Sequence, residues 1–260
     1  MSIKEPISGR DTAWVVIAIG GVVAGLLVYL VGLPDSPQVF GAAPSDLTLP
    51  TALFLALAGI SLASALRAHG SGWRVVDIVV ASVLGVVGGL LFALWNATAW
   101  PVLSGALGFY PPASSLLVGV WLLPAVLGGL VVRRPGAAVY TELVAAVLSA
   151  LIGNQWGFAT VWYGLVEGLG AEAVFALLLY QTFGLPAALG AGAGAGVTVG
   201  LMDSLLYYPQ FSAAYKVAYI VGAVISGIVI AGLGSWALTR ALASTGALAP
   251  LASGRMAERV

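Results

Sequence analysis

The feature that most limits what this chain can fold into is a series of apolar runs, each about as long as a bilayer is thick. They fall at about 13–33, 48–66, 75–96, 114–132, 137–152, 160–182, 185–206 and 215–238. An α-helix rises about 1.5 Å per residue, so about 20 residues cross a hydrocarbon core of about 30 Å. Only 8% of residues are charged and 60% are hydrophobic, with a mean hydropathy of +1.05; soluble domains carry about 25% charge. The expected fold is therefore an all-α, polytopic membrane protein of eight spans. The first run follows Lys4 and Arg10 as a signal peptide would, but it exceeds the roughly 7–15 residues of such a core and is expected to remain uncleaved.

Cations set the expected orientation. With the N-terminus inside, Lys4, Arg10, Arg67, Arg74, Arg133, Arg134, Arg240, Arg255 and Arg259 all fall on the cytoplasmic side, and only Lys216 lies outside. The positive-inside rule favours that arrangement: a multi-pass plasma-membrane protein with both termini cytoplasmic. Trp95, Trp100, Tyr110, Trp156, Trp162, Tyr163, Tyr207, Tyr208, Tyr215 and Tyr219 then gather at the outer ends. Singly, each is readable as an interfacial anchor; together they suggest a pocket. The outer segment 97–113 has no charge and holds Trp100, Pro101, Tyr110, Pro111 and Pro112, a pattern closer to a lid than to a solvated connector.

Several functions drop out. Cysteine is absent and His69 is the lone histidine, so no thiolate or histidine cluster is available for a metal. There is no phosphate-binding loop for ATP hydrolysis, and a formal net charge of zero gives no reason to expect a nucleic-acid partner. Neither a nucleophile–base pair nor an internal repeat is visible, and no cofactor is implied.

The acids carry the functional signal, because a carboxylate at the centre of a membrane helix costs about 2.5–3.5 kcal/mol on insertion scales. The stretch Gly153–Phe175 begins with a polar turn, Asn154, Gln155 and Trp156, and continues into an apolar helix bearing Glu167 and Glu172. Tyr163 lies one turn above Glu167 on the same face, whereas Glu172 is rotated by about 140° and addresses other neighbours. Glu142 is expected to pair with Arg133 or Arg134 near the inner end, and Asp77 with Arg74. Asp203 either pairs with Lys216 or faces the ligand. Aromatic rings with one or two acids suit a cationic or amino-substituted heteroaromatic solute, since a delocalised cation gains about 2 kcal/mol over a desolvated ring.

Small residues form a second pattern. Asp77, Ala81, Gly85, Gly89 and Ala93 recur every four residues and make one stripe. Such a stripe admits close approach by another helix, from a partner or from the same chain. Gly190–Gly196 reads GAGAGAG, small on every face.

From about Trp73 to Leu248 the chain resembles the substrate-binding S component of energy-coupling factor (ECF) vitamin transporters, of the hydroxymethylpyrimidine/thiamine (YkoE) type. The residues that carry the resemblance are RRPGAAVYTELVAA (Arg133–Ala146), GNQWG (Gly153–Gly157) and GLGAEAVF (Gly168–Phe175), with Asp203 before a tyrosine-rich loop. The resemblance implies a six-helix core at 69–248; the two-helix hairpin expected at 1–68 has no counterpart in such a core and departs from the family, and a cytoplasmic tail is expected at 249–260. It also implies an outward ligand site for thiamine or hydroxymethylpyrimidine, a transmembrane coupling protein and ABC-type ATPases. Trp156, Trp95, Tyr110 and Tyr163 would enclose the rings; Glu167, Asn154, Gln155 and Asn96 would read the aminopyrimidine; Asp203 would offset thiazolium charge. Ala81, Gly85 and Gly89 would form the coupling face. The rival expectation is a proton-coupled carrier with Glu142, Glu167 and Glu172 as a relay.

Overall fold

A computed structural model describes residues 72–157 and 159–257; the expected N-terminal hairpin and its two spans lie outside the described residues. Among these residues every regular element is helical. Helix α1 (Val75–Ala97) is followed by a short α2 (Ala99–Ala106), and a 3-10 segment (Pro111–Val120) then leads into α3 (Leu123–Val132). Next come α4 (Ala137–Ile152), α5 (Ala159–Leu177) and α6 (Leu185–Leu206). The last long helix comprises α7 (Ala213–Ser226), a π-helical stretch (Gly227–Leu233) and α8 (Gly234–Ser244), and a final turn, α9 (Ala252–Ala257), follows it.

Among the described residues, four helical stretches are long and apolar enough to cross a membrane: Val75–Ala97, Pro111–Val132, Leu185–Leu206 and Ala213–Ser244. With α4, which is apolar but shorter, and the acid-bearing α5, they make the six-helix core. The protein is a multi-pass membrane protein.

Helix ends follow local chemistry. At the start of α1 the Arg74 N–H donates to Asp77 Oδ2 at 2.9 Å, and the two side chains form a salt bridge at 2.7 Å. Arg134 joins the same carboxylate at 3.4 Å, so the expected Arg74–Asp77 pair is part of a three-residue cluster. Arg133 closes α3 in the left-handed region (φ 56°), and Gly136 (φ 82°) opens α4. This tight inner turn is held by a distant residue. Glu172 accepts from Gly136 N at 2.5 Å, from Ala138 N at 3.0 Å and from the Tyr180 hydroxyl at 2.7 Å.

The span Pro111–Val132 occupies the centre, packed by α1, α4, α5, α6 and the last helix. Around it α4, α5, α6 and α7 follow one another as neighbours. The stripe on α1 faces inward, which corrects the expected coupling face. Ala81, Gly85 and Gly89 are buried against α4. A Cβ built on Gly85 would lie 2.6 Å from Val144 Cβ, and one on Gly89 2.8 Å from Leu148 Cβ. The stripe therefore serves close packing within the chain and offers nothing to a separate coupling protein. Valines and leucines cover the opposite side of α1, with Val79, Val83, Val87 and Leu90 exposed.

The GAGAGAG run has a similar explanation. A Cβ on Gly194 would meet the Gly170 carbonyl of α5 at 2.6 Å, while one on Gly196 would meet the Ala223 carbonyl of α7 at the same distance. Alternate faces of α6 are thus bare because two backbones approach it. At the inner end the chain folds back: Leu248 and Leu251 are buried beneath α3, and Ser253 donates to the Val131 carbonyl at 2.8 Å. Residues 249–254, expected as a tail, pack onto the core.

Candidate functional site

At the end of the core away from the Arg74–Asp77–Arg134 cluster, α1, α4, α5, α6 and α7 surround a cavity of about 110 Å³. Trp100, Trp121 and Trp156 wall it on one side, and Tyr163, Tyr207, Tyr208 and Tyr219 on the other; Glu167 and Asp203 supply its charge.

The tryptophans form one group. Trp100 meets Trp121 edge-on at 4.6 Å between ring centres, Trp121 meets Trp156 at 5.5 Å, and Trp100 lies 6.1 Å from Trp156. Two asparagines hold them in place. Asn96 Oδ1 accepts from Trp121 Nε1 at 3.0 Å. Asn154 Oδ1 accepts from Trp156 N and Gly157 N, each at 2.9 Å, and from the Thr160 hydroxyl at 3.0 Å. Ser149 links the two asparagines, taking Asn154 Nδ2 at 3.2 Å and Asn96 Nδ2 at 3.5 Å.

The acids differ in their surroundings. Asp203 accepts from the Tyr219 hydroxyl at 2.7 Å and makes no ion pair with Lys216, so of the two expectations for Asp203 the pocket-facing one describes its position. Glu167 is 5% exposed, lines the cavity, and receives no hydrogen bond from any described residue. The Tyr163 hydroxyl is buried beside Asp203. Burial pushes the Tyr207 hydroxyl up to about 12, with help from the negative charge of Asp203; it therefore presents a neutral O–H. Burial also raises the Tyr208 hydroxyl, again with a contribution from Asp203.

Beneath the cavity, Glu142 Oε2 accepts from Ala125 N at 2.8 Å, while Oε1 has no partner. It is not paired with Arg133 or Arg134, contrary to expectation, because Arg134 turns to Asp77 and Glu142 points at the start of α3. Glu172 is engaged by the turn between α3 and α4 and does not line the cavity, so the three acids Glu142, Glu167 and Glu172 do not form one continuous group.

Of the expected ligand-binding residues, Asn96, Trp156, Tyr163, Glu167 and Asp203 line the cavity. Four others stand apart. Asn154 holds the turn, Gln155 is exposed, Trp95 packs edge-on against Trp121 at 6.4 Å, and Tyr110 packs on Tyr215 at 5.4 Å. Phe92, Thr160 and Val199 complete the lining but were not singled out by the sequence, and nor was Trp121. Trp121 sits mid-way in an apolar run, and only its being a tryptophan far from an interface hinted at a polar neighbour. Trp100, Tyr207, Tyr208 and Tyr219 were visible only as members of the outer aromatic group. Among the described residues no cluster suited to a metal ion occurs.

The chain is similar to known proteins in sequence and in fold. Residues 76–198 match the family described as the ABC-type cobalt transport system, permease component. The chain is 35% identical over 184 residues to the protein described as an HMP/thiamine permease, YkoE, of Bacillus subtilis (strain 168), covering 70% of this chain and 91% of that one. A crystal structure of an S-component of an ECF transporter superposes with a TM-score of 0.68 at 34% identity, over 72% of this chain and 94% of that one. These relatives are transport proteins and not enzymes. Matched over nearly the whole length of both relatives, this chain belongs to the family of YkoE-type S components of ECF transporters.

Proposed function

We propose that the chain is the substrate-capture subunit of an ATP-driven importer for thiamine or its hydroxymethylpyrimidine precursor. One observation carries this reading: a buried carboxylate, Glu167, lines a tryptophan-walled cavity and receives no hydrogen bond from any described residue. An amino-substituted ring supplies what the cavity lacks, donors for the carboxylate and a flat apolar surface for the indoles. The thiazolium of thiamine then extends toward the mouth, where the neutral tyrosines and Asp203 lie. The relative described as an HMP/thiamine permease supports the choice of ligand.

The chain has no ATP-binding loop, so the energy comes from partners: a transmembrane coupling protein and ABC-type ATPases, as the likeness to an ECF S-component supports. The test is uptake in cells lacking their own thiamine transport. Binding by the purified chain alone, with accumulation only when coupling protein and ATPases are co-expressed, is the expected result. Accumulation by the chain alone, abolished by collapsing the proton gradient, overturns the proposal in favour of a secondary carrier.

A further inference from the structure

Three acids from three successive helices meet at the outer half of the core. Glu142 on α4 is fully buried, Glu167 on α5 is 5% exposed and Asp203 on α6 is 9% exposed. Glu142 packs under α5, where a Cβ on Gly168 would come within 3.2 Å of Glu142 Cβ. Every other titratable group facing them is a tyrosine: Tyr163 from α5, Tyr207 and Tyr208 from the turn after α6, and Tyr219 from α7. Helix α1 contributes Asn96 and the central span Trp121, and no lysine, arginine or histidine lines the cavity.

Removing a carboxylate from water costs several kcal/mol unless donors or a counter-charge replace the lost hydration. Asp203 has the Tyr219 hydroxyl, and Glu142 has the Ala125 N–H. Among the described residues Glu167 has neither donor nor cation, so nothing described replaces the hydration that its carboxylate would lose in the empty site. It is also a cavity-lining group, whereas Glu142 is not.

We propose that Glu167 holds a proton in the empty site and releases it when a cationic ligand enters, exchanging one positive charge for another. The O–H bond of the Glu167 carboxyl breaks and the proton leaves to water through the cavity mouth; the resulting carboxylate accepts from the ligand's amino group, and the thiazolium charge beside Asp203 balances it across the cavity. No electrons are transferred. The consequence is selectivity by charge: a cation is bound with proton release, and a neutral aminopyrimidine is bound by the protonated acid without it. Lowering the pH then weakens cation binding by up to about tenfold per pH unit, the limit for one displaced proton.

This inference rests on the pocket being an aminopyrimidine site. The test is calorimetric titration of the full-length protein in lipid nanodiscs at neutral pH, in two buffers of different ionisation enthalpy. Thiamine, whose thiazolium charge is permanent, is compared with hydroxymethylpyrimidine. About one proton released per thiamine and none per hydroxymethylpyrimidine is expected. Glu167→Gln should bind thiamine at least about tenfold more weakly and release no proton, whereas Asp203→Asn should still release one. Thiamine binding with equal heat in both buffers overturns the exchange and leaves the site assignment intact, as does proton release that survives in Glu167→Gln. Failure of the wild-type protein to bind either ligand removes the functional reading and this inference with it.

Discussion

Asn154 shapes the pocket without lining it. Its side-chain oxygen gathers three donors from the turn and from the first residues of α5, and so fixes where the Trp156 ring stands. Trp156→Ala should weaken thiamine binding by about 1–3 kcal/mol if a ring stacks there, by analogy with base–aromatic stacking. Asn154→Ala should lose part of the same affinity while leaving the indole in place, so its tryptophan emission should report a more mobile Trp156. Unchanged affinity in both variants would remove this wall from the site. Glu172 is the opposite case, a buried acid that is fully satisfied. Replacing it with alanine strands two backbone N–H groups and a tyrosine hydroxyl, a loss on the order of 3 kcal/mol. Thermal unfolding of Glu172→Ala should therefore begin earlier, with ligand affinity preserved; the converse result would tie the inner turn to the pocket.

At the scale of elements, the apolar runs made the helices from Val75 onward legible, because span length is imposed by the bilayer and not by neighbours. Which helix meets which was not legible. A stripe of Ala81, Gly85 and Gly89 says only that another backbone comes close, and the sequence has no means of saying whose. The structure answers that α4 does, through Val144 and Leu148. Similarly, Glu167 and Asp203 were readable as pocket residues because acids are rare in such helices, while Trp121 was hidden among apolar neighbours and Gln155 was mistaken for a ligand contact because its turn was the right one. Gly85→Leu should accordingly destabilise the fold by well over 1 kcal/mol, since the new side chain must displace Val144 and the Thr141 carbonyl at the tightest part of the α1–α4 contact. Val83→Ala, on the exposed side of α1, should leave the melting temperature almost unchanged. A stable Gly85→Leu protein that has lost only its partners would return the stripe to the role of a coupling face.

For the whole molecule, the two ends of the core differ in kind. Arg74, Arg134 and Asp77 join at one end, where the chain after Leu248 also folds under α3. The other end holds the aromatic cavity and Lys216. Cations are retained on the cytoplasmic side during insertion, so the arginine end should face the cytoplasm and the cavity the outside, as a capture subunit for import requires. The chain has no cysteine, which makes single-cysteine labelling direct. In intact cells, a membrane-impermeant maleimide should label Ser212→Cys, at the exposed start of α7, and fail to label Ser244→Cys, at the exposed end of α8, until the membrane is permeabilised. Saturating thiamine should also protect Thr160→Cys in the cavity wall from slow labelling, because a ligand there closes the path from the outer solution. Labelling of Ser244→Cys but not Ser212→Cys in intact cells would invert the protein, and a pocket open only to the cytoplasm is incompatible with capture of an external vitamin.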